Sequence, residues 1–326
     1  MWQRSAGCIV ILALALLGIS TGVVAQPSGK SHRIGWLGSG TQPSAPDPSI
    51  SDFQQGLRDL GYVEGKNLVV DYRYASSNGA TELASLPVEL IVTSGEPAAL
   101  AGKRGPKTFP IVVTELGVDP VTAGLVASLG RPGGNVTGVA SFGTEELWQK
   151  RLQFLKQLAP KSSRLAVLWN PAQLGNTNCV QQIKAAAPAL AMQLSDVPVR
   201  DANALEQAFA TLAKAPPDAL VTCWDTLTLG HAKAIADFAL KLRLPMLAPL
   251  REYVQAGGLI SYGPNLPAQR RRAAYYVDKI LKGAKPADLP VEQSANLELV
   301  INVSTAKALA VRLPESFLLL ADELVQ

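Results

Sequence analysis

Asp119-Pro120-Val121-Thr122-Ala123-Gly124-Leu125-Val126-Ala127-Ser128-Leu129-Gly130-Arg131-Pro132-Gly133-Gly134-Asn135-Val136-Thr137-Gly138 decides how the first half of this chain is read. Asp119 suits a helix N-cap and Pro120 suits the first turn. Leu125, Val126 and Leu129 predict an apolar face. Gly130 predicts the stop, Pro132-Gly133-Gly134-Asn135 a turn, and residues 136–139 the start of a strand. A helix, a turn and a strand in so short a span point to α/β architecture.

The same alternation extends to either side. Upstream, residues 33–37 predict a strand and 38–49 a loop. Phe53, Leu57 and Leu60 predict a helix stopped by Gly61. Residues 68–74 alternate as a strand, 81–86 form a short helix, and 88–93 a buried strand. Ser94-Gly95-Glu96-Pro97 opens the next helix, and 110–114 is a further strand. This order predicts a parallel sheet covered by helices on both faces.

Downstream the pattern restarts. Leu147, Leu152, Phe154, Leu155 and Leu158 mark a connecting helix. Strands are predicted at 164–169, 219–222, 244–248 and 259–261. Helices are predicted at 178–194, after the Asp201 cap, around Ile235, Phe238 and Leu242, and at 251–255. A tail follows: a helix at 267–282 stopped by Gly283, a strand at 297–301, and helices at 304–311 and 314–324. The expected organisation is α/β with two Rossmann-like lobes, each a parallel sheet flanked by helices. Lobe one is 31–141 plus about 263–295, lobe two is 142–262, and 296–326 is a closing tail that returns to the first unit near the hinge. Several crossovers and no low-complexity linker favour a cleft between hinged lobes.

Composition narrows the function. The chain has 326 residues, of which 48% are apolar and 17% charged, so it can build large cores and is not a disordered protein. A net charge of +4 is too small and dispersed to imply a nucleic-acid partner. Arg270-Arg271-Arg272 is the one tight basic cluster and reads first as a solvated helix face, with an anion or partner contact as the minority reading. Residues 1–25 read as an export signal: Arg4, an apolar run over 8–19, and Val23-Val24-Ala25 before Gln26. Cleavage near Ala25 would deliver a periplasmic protein; an uncleaved anchor is the alternative. Cys179 and Cys223 remain in the mature chain, either joined or as two separate buried thiols. No Cys/His spacing fits a metal, and no cofactor is expected.

In open parallel sheets, ligands bind outside the carboxyl ends of the strands. That rule selects Ser39 and Gly40, then Ser94, Gly95, Glu96 and Ala98 in the run 94–98, then the run from Thr114 to Asp119 in the first lobe. In the second it selects Asn170, Asn176, Asp225, Glu252 and Tyr253. Ser94-Gly95 at a helix start suits a carboxylate. Asp225 or Glu252 suits an ammonium. Together they fit a zwitterion, although for each residue taken singly capping alone is the better explanation, and the set is better supported than its members. Gly35-Trp36-Leu37-Gly38-Ser39-Gly40 fails as a dinucleotide fingerprint, because Pro43, Pro46 and Pro48 follow where a helix should open. His32 and His231 read as surface or structural residues, and Trp148 as packing. No nucleophile, base and orienter set is present, so no enzyme activity is expected.

Six phrases resemble the family of ABC transporter substrate-binding proteins that includes tryptophan and other aromatic amino-acid binding members. They are Phe53-Gln54-Gln55-Gly56-Leu57 with 61–67, residues 91–100, 119–138, Gly257-Gly258-Leu259-Ile260-Ser261-Tyr262-Gly263, 280–291, and Glu298-Leu299-Val300-Ile301-Asn302. They span nearly the whole mature chain in order. The resemblance implies a type I periplasmic binding fold and capture of a small ligand by lobe closure. It implies delivery to an ABC permease with a separate ATPase, by a monomer. An exported sensor for a membrane kinase or chemoreceptor is the alternative. Two departures stand out: the segment 74–91 is short, and Glu96 replaces a small or hydroxylated residue, which disfavours an anion there or favours a cation.

Overall fold

The computed structural model describes residues 31–40, 48–75, 78–106 and 108–326. The expected signal segment lies outside the described residues, as does most of the loop over 38–49. Two sheets organise the rest. The first contains β1 (His32–Gly38), β2 (Leu68–Tyr74), β3 (Leu90–Ser94), β4 (Ile111–Leu116) and β5 (Val136–Ala140), all parallel. The second begins with β6 (Arg164–Trp169), β7 (Gln193–Pro198), β8 (Ala219–Thr222), β9 (Met246–Ala248) and β10 (Ile260–Pro264), also parallel. β11 (Val291–Gln293) then returns to the first sheet beside β5. β12 (Leu297–Asn302) runs antiparallel to β10, and β13 (Glu323–Val325) parallel to β12.

Helices α1 (Pro48–Asp59), α2 (Gly79–Ser85) and α3 (Glu96–Arg104) cover the first sheet, and α4 (Glu145–Leu158), α5 (Leu174–Ala186), α6 (Ala202–Lys214), α7 (Thr226–Gly230), α8 (Ala232–Lys241) and α9 (Arg251–Gln255) belong with the second. α10 (Leu266–Leu281) crosses back and packs with α1 over the first sheet, burying Trp36, Phe53, Leu57, Ala273 and Val277 together. α11 (Val303–Ala308) and α12 (Glu315–Leu318) close the chain. The chain therefore passes between sheets three times, after β5, after β10 and after β11. Among the described residues no helix is long and apolar enough to cross a membrane.

Three expectations need correction. The stretch after Asp119 forms turns, not a helix. Asp119 does cap: Oδ1 accepts from Val121 N (3.0 Å) and Oδ2 from Thr122 Oγ1 (2.9 Å). Gly124 then enters the left-handed region at φ +68°, which ends the winding after one turn. Leu125 and Val126 are buried all the same, so the apolar face is real but is presented by a loop. β5 starts at Val136 as expected. Gly138 has φ +130°, and a Cβ there would stand 2.2 Å from Val113 O, where the β4 register shifts. Only glycine fits that position.

The helix predicted over 178–194 is shorter. α5 stops at Ala186, a 3₁₀ turn covers Ala187–Leu190, and Ala191 turns the chain at φ 52° into β7. β7 is an edge strand with mostly exposed side chains, so it carries no apolar alternation to read. The tail over 296–326 does not return to the first unit, and the helix expected over 314–324 is only the short α12, followed by strand β13. Leu299, Val300 and Ile301 are buried, and β12 and β13 cover the edge that β10 would otherwise leave open in the second sheet.

Candidate functional site

The carboxyl ends of the strands in both sheets face a common cleft of about 210 Å³. The first lobe contributes Ser39, Ser94, Glu96 and Glu115, with Arg270 reaching in from α10; the second contributes Gln173, Gly175, Trp224 and Asp225. Of the residues selected at strand ends, Ser39, Ser94, Gly95, Glu96, Glu115 and Asp225 line it.

On the first wall the donors are already engaged. Ser39 Oγ donates to Ser94 O (2.6 Å). Ser94 Oγ donates to Glu115 Oε2 in a short contact. Gly95 N–H donates to Thr114 O (3.0 Å). The carboxylate site expected at Ser94-Gly95 is thus spent on internal bonds, which corrects that reading. Glu115 sits at φ 56°, a strained conformation for a side chain of its size. Its carboxylate also receives Arg270 Nε (2.6 Å), and Arg270 Nη1 binds Asp52 Oδ2 (3.1 Å). Burial alone would lower the Arg270 pKa, but Glu115 and Asp52 outweigh it and raise it above the ordinary arginine value. The solvated basic face expected of residues 270–272 holds only for Arg271 and Arg272, because α10 turns Arg270 inward. Ala98 and Thr114 are buried behind this wall rather than lining it, and Gly40 turns the chain at φ +75° beyond Ser39.

On the second wall, Trp224 lies against Gly117, where an added Cβ would come within 3.2 Å of the indole. Asp225 is buried and caps α7, accepting from Leu227 N (2.6 Å) and Thr228 N (3.0 Å) on Oδ1 and from Asn176 Nδ2 (2.7 Å) on Oδ2. Burial raises its pKa, and these bonds pull the other way without cancelling the rise. Asn170 accepts from Ala172 N (3.0 Å) in a turn outside the cleft lining. Glu252 is partly buried and does not line the cleft; desolvation raises its pKa, and its Oε2 has no partner among the described residues. Tyr253 gives its hydroxyl to Thr228 Oγ1 or accepts from it (2.8 Å). Asp119 lines a separate, smaller chamber.

Glu96 does what the sequence did not suggest. Its carboxylate reaches across the cleft and accepts from Leu174 N on Oε1 and Gly175 N on Oε2, each at 2.9 Å. These are the first amides of α5, whose own N-cap residue, Gln173, gives no side-chain cap. A first-lobe carboxylate therefore caps a second-lobe helix and complements its dipole. The other end of that region is fixed covalently: Cys179 of α5 and Cys223, just beyond β8, form a disulfide with Cα atoms 6.2 Å apart. The pairing left open by the sequence is thereby resolved.

Trp224 escaped the sequence reading. It sits at a strand end beside Asp225, which was selected, so the same rule reaches it. Glu115 falls inside the selected run 114–119, and Arg270 belongs to the basic cluster whose minority reading was an anion or partner contact. The histidines lie elsewhere: His32 Nδ1 meets Glu89 Oε1 and His231 Nδ1 meets Leu227 O, both at 2.9 Å. The cleft offers paired charges, hydroxyls and an aromatic face, a set suited to holding a small molecule.

The family model described as ABC transporter substrate binding protein matches residues 43–325. A curated relative, the tyrosine-binding protein of Clostridioides difficile (strain R20291), is 27% identical over 269 residues, covering 81% of this chain and 76% of the relative. Among solved structures, a conserved domain protein from Vibrio cholerae superposes with a TM-score of 0.82 at 25% identity, covering 90% of this chain and 100% of the other. An ABC domain in complex with L-Trp from Streptococcus pneumoniae gives 0.81 at 24% identity, over 91% and 100%. The ligand-free, open structure of a substrate-binding protein with adhesive properties from Clostridium difficile gives 0.67 at 25% identity, over 90% and 99%. The fold is that of periplasmic binding proteins of type I.

Proposed function

We propose that this chain, which belongs to the ABC transporter substrate binding protein family, captures an amino acid or a related zwitterion between its lobes and hands it to a membrane permease driven by a separate ATPase. The observation that carries the reading is the cleft itself: polar and aromatic groups from both lobes line one cavity, and Glu96 bridges its two walls. Such a site encloses a ligand only when the lobes are together, which excludes water and strengthens each polar contact. Trp224 supplies a flat apolar face, and the Asp225 carboxylate beside it suits an ammonium group. The 27%-identical relative is named for binding tyrosine, which favours an aromatic amino acid here. The protein acts as a monomer in the periplasm after signal cleavage and performs no chemistry on its cargo.

Mass spectrometry of the small molecule that co-purifies, followed by a thermal-shift panel of the amino acids, tests this. An aromatic amino acid should raise the melting temperature and compete with the co-purified species. A panel with no shift from any amino acid would remove the proposed ligand class.

A further inference from the structure

Behind Trp224 lies a second chamber of about 60 Å³, where the chain crosses between the lobes. Gly117, Gly175 and Trp224 line both this chamber and the main cleft, so the indole stands between them. The volume suits a small anion or a carboxylate group rather than a whole amino acid.

Arg151 of α4 lines this chamber and is 3% exposed. Its Nε donates to Tyr262 O (2.6 Å), and the guanidinium stacks over Trp148 at 4.4 Å. No carboxylate among the described residues pairs with it, and neither Nη atom finds an acceptor there. Burial lowers its pKa to about 9, so at neutral pH it remains a cation without a counter-ion. A second unsatisfied donor belongs to the same wall: Ser141 lines the chamber, and its Oγ is buried with no partner among the described residues. Asp119 is the carboxylate in this wall, but its oxygens hold Val121 N and Thr122 Oγ1. Asn176 and Gln182 each direct one amide N–H elsewhere, to Asp225 Oδ2 and to Gly143 O. In the main cleft Arg270 is paired by Glu115 and Asp52. Arg151 has no such partner. Buried polar groups are ordinarily satisfied, and a buried cation ordinarily has an anion beside it.

We propose that this chamber is an anion receptor in which Arg151 and Ser141 bind a carboxylate, either the end group of the transported ligand or a free small anion. The first source rests on the amino-acid reading above, and the second does not. The assignment also supplies the carboxylate donors that Ser94 and Gly95 lack, because theirs are spent inside the first lobe. Arg151 then holds the ligand from the side of the crossover while Asp225 faces it from the second lobe.

Thermal shift and calorimetry on the mature chain in HEPES buffer without added salt test the assignment, with formate, acetate, L-tyrosine and tyramine as probes. Formate and acetate should stabilise the wild-type protein and leave Arg151→Met unmoved, with Arg151→Lys partly restoring the response. L-tyrosine should bind Arg151→Met at least tenfold more weakly, and tyramine, which lacks the carboxylate, should bind both equally. A formate and acetate response that persists in Arg151→Met, or is absent from the wild type, overturns the receptor. A response lost in Arg151→Met while no amino acid binds upholds the receptor and removes the proposed ligand class. A lost formate response with tyrosine binding intact assigns the site to a free anion. Should Arg151→Met not fold, Ser141→Ala and bromide-soaked wild-type crystals decide. An anomalous peak beside the Arg151 guanidinium supports the site, and an empty chamber overturns it.

Discussion

Replacing Glu96 by alanine should open the cleft. The carboxylate makes two hydrogen bonds of 2.9 Å to Leu174 N and Gly175 N on the opposite lobe, and Glu96 is buried where it makes them. A hydrogen bond to a charged group contributes roughly 1.5–3 kcal/mol, and a lost helix cap costs about 1 kcal/mol. Water takes over both partners when the lobes part, so the pair favours closure by about 2 kcal/mol rather than by the full sum. That is about 30-fold in the closing equilibrium. Small-angle scattering of the ligand-free Glu96→Ala protein should show a larger radius of gyration than the wild type. Hydrogen exchange at the Leu174 and Gly175 amides should accelerate. Glu96→Gln, which keeps one acceptor oxygen, should fall between. Unchanged scattering together with unchanged exchange at those two amides would refute the latch, because the amides would then be protected by something other than Glu96.

The Cys179–Cys223 bond closes a separation of 44 residues, so reduction should cost about 4 kcal/mol on the loop-entropy estimate; coincident denaturant midpoints with and without reductant would contradict this. Asp218 accepts from the Arg164 guanidinium (2.8 Å), Ser163 N and Arg164 N (each 2.9 Å). The Arg164 bonds foremost, against a smaller burial effect, hold its pKa well below the ordinary carboxylate range. A depressed folded pKa gives stability that is present above the unfolded value near about pH 4 and is lost as pH falls through the folded one. Urea midpoints should therefore drop on acidification below that point, and Asp218→Asn should flatten the drop. Ala191 sits at φ 52° where the 3₁₀ turn ends, so Ala191→Gly should raise the unfolding free energy by up to about 1 kcal/mol; a lowered urea midpoint would contradict the strain argument.

Strands buried on both faces were legible because they read as continuous apolar runs, as at β6 and β8. β7 was not, because at a sheet edge its side chains are mostly exposed and its pairing is carried by the backbone of β6. The turns after Asp119 were misread because cap, proline and apolar spacing all agree on a helix locally. A single glycine dihedral at Gly124 decides otherwise. In the site, position was legible and partnership was not. Ser94, Gly95 and Glu96 all stand at a strand end, as the topology requires. Whether Gly95 N–H faces a ligand or Thr114 O, and whether Glu96 faces a cation or the first turn of α5, depends on residues distant in sequence. Long-range pairing also hid Arg151, since nothing local distinguishes a buried arginine from an exposed one on an amphipathic helix.

The pairing of charges in the cleft bears on how a captured ligand is released. A ligand that binds only the closed form sees an affinity reduced by the fraction of protein not closed. The Glu96 contact raises the closed fraction without ligand, so it tightens capture. By the same amount it opposes opening, and anything outside the cleft that separates Glu96 from α5 would ease release. The contact is suited to that, because it joins the start of α3 to the start of α5. On the proposed transport reading, a permease that draws the lobes apart breaks two hydrogen bonds and exposes the cleft in one movement. The Arg151 chamber works in the opposite sense. It lies by the crossovers after β5 and β10, its donors Ser141 and Arg151 adjoin those segments, and an anion there would bind the lobes at their base. A latch at the helix starts can be opened by an external partner, whereas the receptor by the crossover adjoins the cleft through Gly117, Gly175 and Trp224. That division accounts for why one carboxylate of the cleft is spent on protein amides while one buried cation is left for an incoming anion.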